Sequence, residues 1–178
     1  MVAKNRNANS RVINSSVSVE QSVEAYKNPT ELFQWINFGR WNKAIKRLKS
    51  NPSEACVWIY SENEVNGKKK WKYLPIHMVS LQPNPPLSVI EALIVAYPTG
   101  ATCRDLDGNL AIHYLCLEAC TDKQVLEVVI NAYEDCLLEK DKYGRTPYQI
   151  FDFESQRRKV DPALRDSVLQ VRLLRTHD

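Results

Sequence analysis

The sequence lacks any apolar run that approaches the roughly 20 residues a helix needs to cross a bilayer. Its longest apolar stretch, residues 89–96, is interrupted by Glu91, so we expect no membrane insertion. The chain also lacks a strong charge imbalance. Its formal net charge of +3 is too small on its own to indicate nucleic-acid binding.

Motifs of catalysis and of phosphate binding are missing as well. The chain has no glycine-rich phosphate loop, no nucleophile elbow and no His-Glu-x-x-His zinc motif. Its five cysteines are odd in number and follow no secretory signal, which favours reduced thiols inside a cell over a disulfide framework. We therefore expect a cytoplasmic or nuclear protein that is not an enzyme and has no cofactor.

The first 29 residues differ in composition from the rest. Residues 1–19 contain Lys4, Arg6 and Arg11 among many serines and asparagines, and no acidic residue precedes Glu20. A polar tail that buries little apolar surface has this composition, and so does an organelle transit peptide. We predict a disordered tail over residues 1–29, and targeting by residues 1–19 remains an alternative.

The rest of the chain contains an internal repeat with an offset of 36 residues. Three separate groups of segments agree on this offset without a gap. The corresponding segments are 74–77, 110–113 and 146–149; 91–97 and 127–133; and 105–108 and 141–144. Such self-similarity indicates a stack of similar units, each of which buries its apolar face against its neighbours.

The apolar spacing within the units is helical. In the second long segment the apolar residues fall at i, i+3, i+4 and i+7, which is one face of a helix. They are Val125, Val128, Val129 and Ala132. A shorter apolar segment precedes each long one, and Asp-x-x-Gly between units marks a tight turn in which glycine supplies positive φ. Each unit is thus predicted as a turn, a short helix, a loop and a longer helix.

This pattern resembles the ankyrin repeat, which opens on Asp-x-x-Gly-x-Thr-Pro-Leu-His and continues with two antiparallel helices. Residues 141–147 match the opening closely, residues 105–113 match it with Leu110 for Thr and Ala111 for Pro, and residues 74–77 keep the Pro and the His. The resemblance implies an all-α repeat fold, an ankyrin-type solenoid of helix pairs with β-hairpin fingers. We expect the array to be monomeric.

Both ends of the array have less regular sequences. A degenerate helix pair at residues 31–38 and 41–48 indicates an N-terminal cap, and Asp161 followed by Pro162 predicts the start of a closing helix. The predicted domain covers residues 30–178. Its units are the N-terminal cap at about 30–56, repeats at about 57–104, 105–140 and 141–160, and a C-terminal capping helix at about 161–176.

Residues 57–74 predict a finger that is longer than its neighbours. Asn66 and Gly67 are a strong signal for a two-residue hairpin turn, which would place Tyr60 opposite Tyr73. The finger carries several lysines around Trp71. Three interpretations are open. The lysines are solvated charges that protect a sheet edge from further pairing, they contact a protein, or they form an anion site in which Trp71 stacks on a base. The candidate anion-binding residues are Lys68, Lys69, Lys70 and Lys72.

The resemblance to ankyrin repeats also implies where a partner binds, namely at the hairpin tips and on the exposed side of the first helix of each pair. Tryptophan, tyrosine and arginine, which carry much of the energy of known interfaces, occur at these positions. The candidate partner-binding residues are Lys70, Trp71, Tyr73, Leu81, Gln82, Leu106, Asp107, Asn109, Leu117, Glu118, Lys142, Tyr143, Arg145, Phe153 and Glu154.

Two histidines occupy the repeated His position, His77 and His113. In the family that they resemble, this residue ties neighbouring loops by hydrogen bonds. Gln149 replaces it in the next unit. Because glutamine can form hydrogen bonds but cannot act as a base, we predict a structural role for both histidines. A zinc site at His113, Cys116 and Cys120 is disfavoured because a fourth ligand and paired Cys-x-x-Cys spacing are absent.

The sequence thus predicts a protein-interaction scaffold or assembly adaptor whose partner is another protein. The alternative is a nucleic-acid or anionic-ligand binder that uses the lysines of residues 68–72. These two functions differ in their salt dependence, because binding driven by phosphate weakens steeply with ionic strength.

Overall fold

The computed structural model describes residues 20–173, which are mostly helical with one small sheet. The helices are α1 (Glu31–Asn37), α2 (Trp41–Ser50), α3 (Pro75–Ser80), α4 (Leu87–Ala96), α5 (Ala111–Leu117), α6 (Lys123–Ala132), α7 (Pro147–Arg157) and α8 (Pro162–Leu173). The strands are β1 (Ser22–Glu24), β2 (Trp58–Glu62) and β3 (Lys69–Tyr73), and short 3₁₀ helices span Pro52–Cys56, Pro98–Thr102 and Glu134–Leu137. Within residues 20–173, no helix combines the length and apolar character needed to cross a membrane.

The helices stack as pairs in two layers. Helix α1 contacts α2, α3 contacts α4, and α5 contacts α6. Along the stack, α1, α3, α5 and α7 contact one another in turn, and α2, α4, α6 and α8 do the same. The apolar core lies between the layers, where side chains such as Ile36, Leu93 and Leu115 are at most 2% exposed. Each such side chain contributes about 1.5–3 kcal/mol by its burial.

Local chemistry explains where several helices begin. Pro75 and Pro147 lie in the first turns of α3 and α7, where a proline costs no intrahelical hydrogen bond. Asp161 precedes α8 and its Oδ1 accepts the N–H of Ala163 at 2.9 Å. A helix therefore begins where the sequence predicted one, and residues 174–178 lie outside the described part.

The helix pair predicted near the start of the array is also confirmed, as α1 and α2. Glu54, in the 3₁₀ helix that follows them, forms hydrogen bonds with both helices. Its Oε2 accepts the backbone N–H of Leu32 at 2.8 Å, and its Oε1 accepts the Nε–H of Arg47 at 2.8 Å. A half-buried carboxylate with two such donors stabilises this end of the stack through charge-assisted hydrogen bonds.

Strand β1 lies in the segment for which the sequence predicted a disordered tail. Ser22 is paired with Trp58 and Glu24 with Tyr60 in a parallel ladder with β2, and Ala25 is 4% exposed. The prediction of disorder is wrong for this part of the tail. A three-residue strand has no local signal, because its hydrogen-bonding partner lies far along the chain. Residues 1–19 lie outside the described residues.

The predicted long finger is present as β2 and β3, but its register differs by one residue. Ile59 is opposite Tyr73 and Ser61 is opposite Trp71, whereas the sequence predicted Tyr60 opposite Tyr73. One irregularity, opposite Ser61 and Glu62, shifts the pairing by a further residue before the loop, because Lys70 is an extra residue in β3. Because successive side chains of a strand point to opposite faces, a one-residue shift exchanges the faces.

The finger ends in a four-residue loop over residues 64–67 and not in the predicted two-residue turn. The N–H of Asn63 donates to the carbonyl of Lys68 at 2.8 Å, and the N–H of Gly67 donates to the carbonyl of Asn63 at 2.8 Å. Gly67 has φ +64°, in the left-handed region that favours glycine. Side-chain oxygens of Asn63 and Asn66 accept two further N–H groups here, which stabilises the longer loop.

The other two fingers contain no strand within the described residues. Each is a turn closed by an aspartate: the N–H of Asp105 donates to the carbonyl of Asn109 at 3.0 Å, and that of Asp141 to the carbonyl of Arg145 at 3.0 Å. In both turns the aspartate Oδ1 accepts two backbone N–H groups. The prediction of β-hairpin fingers is therefore confirmed for the long finger and wrong for these two.

Gly108 and Gly144 offer a matched test of how these turns stack. Both have φ +76°. A Cβ at Gly108 would lie 3.1 Å from the backbone nitrogen of Lys142, whereas a Cβ at Gly144 would meet nothing within 4 Å. We expect Gly144→Ala to lower the free energy of unfolding by about 1 kcal/mol through backbone strain, and Gly108→Ala by about 2 kcal/mol or more. Equal losses in urea unfolding would contradict the close approach of the two turns.

Candidate functional site

A groove of about 610 Å³ lies between the finger and the helices α1 and α3. These helices are neighbours in the first-helix layer. Strand β3 contributes side chains from one side, and the segment that follows β1 contributes them from another. The aromatic side chains that line the groove are Tyr26, Phe33, Phe38, Trp71 and Tyr73.

Trp71 and Tyr73 form an aromatic shelf along β3. They are two residues apart, so a strand places them on one face. Their ring centroids are 5.3 Å apart with an interplanar angle of 10°. The Tyr73 ring also meets the Tyr114 ring edge-on, with centroids 5.7 Å apart. Each such pair contributes about 0.5–1.5 kcal/mol beyond burial, so the shelf is held in place by the stack beneath it.

Tyr114 is anchored to the turn of the second repeat. It is 5% exposed, and its hydroxyl donates to the carboxylate of Asp105. The Nδ2 of Asn109, a predicted partner-binding residue, lies 3.4 Å from the same hydroxyl. Burial raises the pKa of Tyr114 and of Tyr73, so both phenols stay protonated at neutral pH. Asn109 thus supports the groove wall from behind and does not line it.

The groove is apolar with a few uncharged polar groups. Among the described residues that line it, no side chain is charged, and the polar groups include the amides of Gln34, Asn37 and Gln82. Tyr26 and Phe38 are 78% and 68% exposed. Exposed aromatic side chains gathered around one concavity are typical of an interaction surface.

Four of the partner-binding residues that the repeat pattern predicted line this single groove. They are Trp71, Tyr73, Leu81 and Gln82. The structure therefore brings together the finger and the end of α3. Lys70 is exposed beside Trp71 but does not line the groove.

Sequence reasoning missed the contribution of the N-terminal unit, namely Phe33, Phe38 and Tyr26. For Phe38 a signal was present, because it follows α1 at the C-cap just as Leu81 follows α3. Extending the predicted contact positions one unit towards the N-terminus would have found it. The sequence contained no such signal for Tyr26, because the position of Tyr26 depends on the pairing of β1 with β2.

The turn tips of the second and third repeats form a separate exposed cluster. The carboxylate of Asp107 pairs with the Nζ of Lys142, which lies 5.0 Å from the centre of the Tyr143 ring. The guanidinium of Arg145 lies 5.1 Å from the same ring. Leu106 and Tyr143 are 49% and 68% exposed. These predicted residues are accessible, but they lie outside the groove and their charges are largely paired within the chain.

The predicted contact positions on α5 and α7 are occupied by internal ion pairs. Arg158 donates to the carbonyl of Leu117 at 3.1 Å and pairs with Glu118 at 3.0 Å. Glu154 is only 8% exposed and pairs with the same arginine, so its prediction as a free contact residue is wrong. Helix α7 has 11 residues where α5 has 7, so Glu154 lies within the helix and not at its end. Phe153, its neighbour, is 64% exposed.

The lysines of the finger do not surround Trp71 on one face. The Nζ of Lys72 lies 4.5 Å from the Trp58 ring centre, and the Nζ of Lys69 lies 4.5 Å from the Tyr60 ring centre. Trp58, Tyr60 and Lys72 share one face of the sheet, because Tyr60 is paired with Lys72. Trp71 belongs to the other face, beside the groove.

The lysines also differ in whether their charges are exposed and free of an acidic partner. Lys72 is half-buried and forms an ion pair with Glu20. Lys68 and Lys70 are exposed, and neither has an acidic partner within ion-pair distance in residues 20–173. The predicted anion site is thus reduced to exposed lysines near the tip, separated from the face that carries Trp71.

The two repeated histidines have the predicted structural role. The Nδ1 of His77 accepts the N–H of Leu74 at 3.0 Å, so its Nε2 carries the proton and donates to the carbonyl of Cys103 at 3.0 Å. His113 makes the equivalent bonds to Leu110 and to the next loop. Burial lowers the pKa of His77 to about 4 and also lowers the pKa of His113. Both imidazoles are therefore neutral links between neighbouring loops.

The described residues contain no arrangement of side chains suited to holding a metal ion. Within residues 20–173, no group of three or more His, Cys, Asp or Glu side chains is placed to hold an ion. Both ring nitrogens of His113 are engaged with the backbone. Cys116 and Cys120 are buried free thiols, and burial raises the pKa of the Cys116 thiol, which disfavours the thiolate that a metal requires.

No protein-family model matches this sequence, and no curated protein matches it.

Proposed function

We propose that this protein is an ankyrin-type interaction module that binds a partner protein through the groove and acts by binding, not by catalysis. One observation carries the proposal: four residues that the repeat pattern predicts as partner contacts line a single concavity of about 610 Å³. The residues concerned are Trp71, Tyr73, Leu81 and Gln82.

Three features support the ankyrin assignment. The sequence repeats with an offset of 36 residues, helix pairs stack in two layers, and His77 and His113 make equivalent hydrogen bonds to successive loops. In such an array each unit contacts only its neighbours, which leaves one side of the first helices available for a partner.

The chemistry of the groove favours binding of a protein surface over catalysis. The described residues that line it contain aromatic rings and amides but no acid, base or thiol. Rings that are already held in place lose little conformational freedom when a partner covers them, so their burial is converted efficiently into affinity. Trp71 is the strongest candidate for the energetic centre, because tryptophan dominates interface hot spots.

We expect Trp71→Ala to reduce retention of the partner protein by about 30-fold, which corresponds to a loss of about 2 kcal/mol. The measurement is affinity purification with the tagged full chain, quantified by mass spectrometry for the wild type and the variant. Circular dichroism and thermal unfolding establish that the variant keeps its helix content.

Tyr143→Ala is the matched control, because Tyr143 is an exposed aromatic residue outside the groove. Its partner list should equal that of the wild type. The groove proposal fails if both variants retain the same partners as the wild type. Retention that survives Trp71→Ala but falls steeply with salt would instead assign binding to the lysines of the finger.

A further inference from the structure

We propose that the protein has a second binding site, for single-stranded nucleic acid, in the first helix pair of the stack. The site consists of the exposed side of α2 and a pocket between α1 and α2 that shares no lining residue with the groove. The inference therefore goes beyond the proposed function and does not depend on it. Three observations carry it: a row of unpaired cations, an aromatic ring beside them, and the types of side chain that are free to bind.

The exposed side of α2 is strongly basic. Residues 40–50 contain five cationic side chains and no acidic one, whereas the formal net charge of the whole chain is only +3. Arg47 is paired with Glu31 and Glu54. Cations that are close together and unpaired repel one another, and a bound polyanion removes that repulsion. The four that are exposed and have no ion-pair partner among residues 20–173 are Arg40, Lys43, Lys46 and Lys49.

The helix arranges these four cations in a row that faces solvent. The opposite face of α2 is apolar, and its Ala44 and Leu48 are buried in the core. The cations follow one another at intervals of three residues, so successive ones are neighbours on the helix surface. At 1.5 Å per residue, the row from Arg40 to Lys49 extends about 14 Å along the axis. Because the phosphates of a stacked strand advance by about 3.4 Å each, the row can contact several phosphates of one strand.

A pocket of about 350 Å³ beside this row contains an aromatic ring. The ring is that of Trp35, which is half-buried, and the Nζ of Lys43 lies 4.3 Å from its centre. An exposed ammonium is held only weakly over a ring, so a phosphate can draw it away and leave the ring face free to stack on a base. Glu31 also lines the pocket, but its carboxylate is paired with Arg47. The described lining residues are Glu31, Trp35, Lys43, Lys46, Arg47 and Ser50.

The types of the free cations favour phosphates over the carboxylates of a protein. Three of the four are lysines, which are strongly hydrated point charges. Lysine is depleted in protein–protein interfaces but binds phosphate groups well. The planar fork of arginine is the better match for a carboxylate, and the fork of Arg47 is already occupied by Glu54 and Glu31.

A lipid surface and a duplex fit this site less well than a single strand does. Helices that lie on membranes bury their apolar face among the lipids, whereas in α2 Ala44 and Leu48 are buried and Trp41 and Ile45 pack against the core. The bases of a duplex are stacked on each other and cannot reach Trp35. A single strand offers both phosphates and free base faces.

The test measures the fluorescence anisotropy of two short labelled strands, one of RNA and one of DNA, titrated with the full chain at about 50 and about 200 mM salt. The competitors are the unlabelled single strand, the corresponding duplex, a glutamate-rich peptide and vesicles that contain phosphatidylserine. The main variant combines Lys43→Gln with Lys46→Gln. Its matched control combines Lys68→Gln with Lys70→Gln, which removes the same charge from the finger. Circular dichroism and thermal unfolding establish that each variant keeps its fold.

We expect binding to the wild type to weaken about 50-fold between the two salt concentrations, as it does when four phosphates of a single strand are neutralised. The variant of Lys43 and Lys46 should bind about tenfold or more weakly at low salt, and its salt effect should fall to about sevenfold because two cations remain. The finger variant should bind like the wild type. Trp35→Leu removes stacking but no charge, so it should weaken binding about fivefold or more and leave the salt effect unchanged.

Binding of either strand with these dependences supports the inference. Equal weakening by the two lysine pairs would overturn it, because the finger would then account for the binding as much as α2 does. The same conclusion follows if neither strand binds, or if Trp35→Leu binds as tightly as the wild type. Competition by the duplex, the peptide or the vesicles that equals competition by the unlabelled single strand would assign the surface to another class of partner.

Discussion

His77→Ala is expected to lower the free energy of unfolding by about 3–5 kcal/mol. The imidazole has no exposed surface, and it accepts the N–H of Leu74 while donating to the carbonyl of Cys103. Alanine leaves both buried backbone groups unsatisfied and creates a cavity beside the rings of Trp58 and Tyr114, whose centroids lie 5.8 and 6.1 Å from that of His77. Urea unfolding followed by circular dichroism measures the loss.

His77→Gln is the matched variant, because the chain already uses glutamine at the equivalent position. The Oε1 of Gln149 accepts the N–H of Thr146 at 2.9 Å, so glutamine reproduces the bond at the start of the helix. We expect it to recover a large part of the loss and to cost about 1–2 kcal/mol. A loss as large as that of alanine would show that ring packing, and not hydrogen bonding, is the main role of His77.

Acidification is expected to destabilise the protein through the same imidazole. Burial lowers the pKa of His77 to about 4 in the folded state, from about 6.5 in the unfolded chain. The folded state therefore binds this proton less readily. Its contribution to stability is fully present above pH 6.5 and is lost as the pH falls towards 4. At about 1.4 kcal/mol per pKa unit, the free energy of unfolding should fall by about 3 kcal/mol.

The physical cause is the burial of the imidazole, which disfavours its charged form, and the occupied Nδ1 acts in the same direction. A proton on that nitrogen would face the N–H of Leu74 and replace an acceptor by a second donor. Urea unfolding of the wild type and of His77→Gln between pH 7.5 and pH 4 isolates the effect, because His113, whose pKa is also lowered, titrates in both. Parallel curves for the two proteins would contradict a buried neutral His77.

Features with a local cause were predictable from the sequence. The apolar spacing of residues 31–38 and 41–48 predicted α1 and α2 to within two residues at each end. Asp161 and Pro162 predicted the start of α8, and Asp141 with Gly144 predicted a tight turn. Each depends on side chains within a few residues of the backbone that they order, so one stretch of sequence contains the whole interaction.

Features with a distant cause were not predictable. The register of the finger depends on one extra residue in β3, Lys70, and a shift of the register by one residue has little effect on the apparent quality of the cross-strand pairs. The buried state of Glu154 depends on the length of α7 and on Arg158 beside it. In both cases the predicted residues were in the right element but on the wrong face or at the wrong depth.

By itself the sequence determined a repeated helical unit, the ends of its helices and a finger that carries Trp71, because periodicity, caps and turn residues act over a few residues. Only the tertiary structure decided that β1 joins the finger and that Tyr26, Phe33, Trp71 and Leu81 surround one groove. These residues come from segments far apart in the chain. The stacking of α1 on α3 and the pairing of β1 with β2 bring them together.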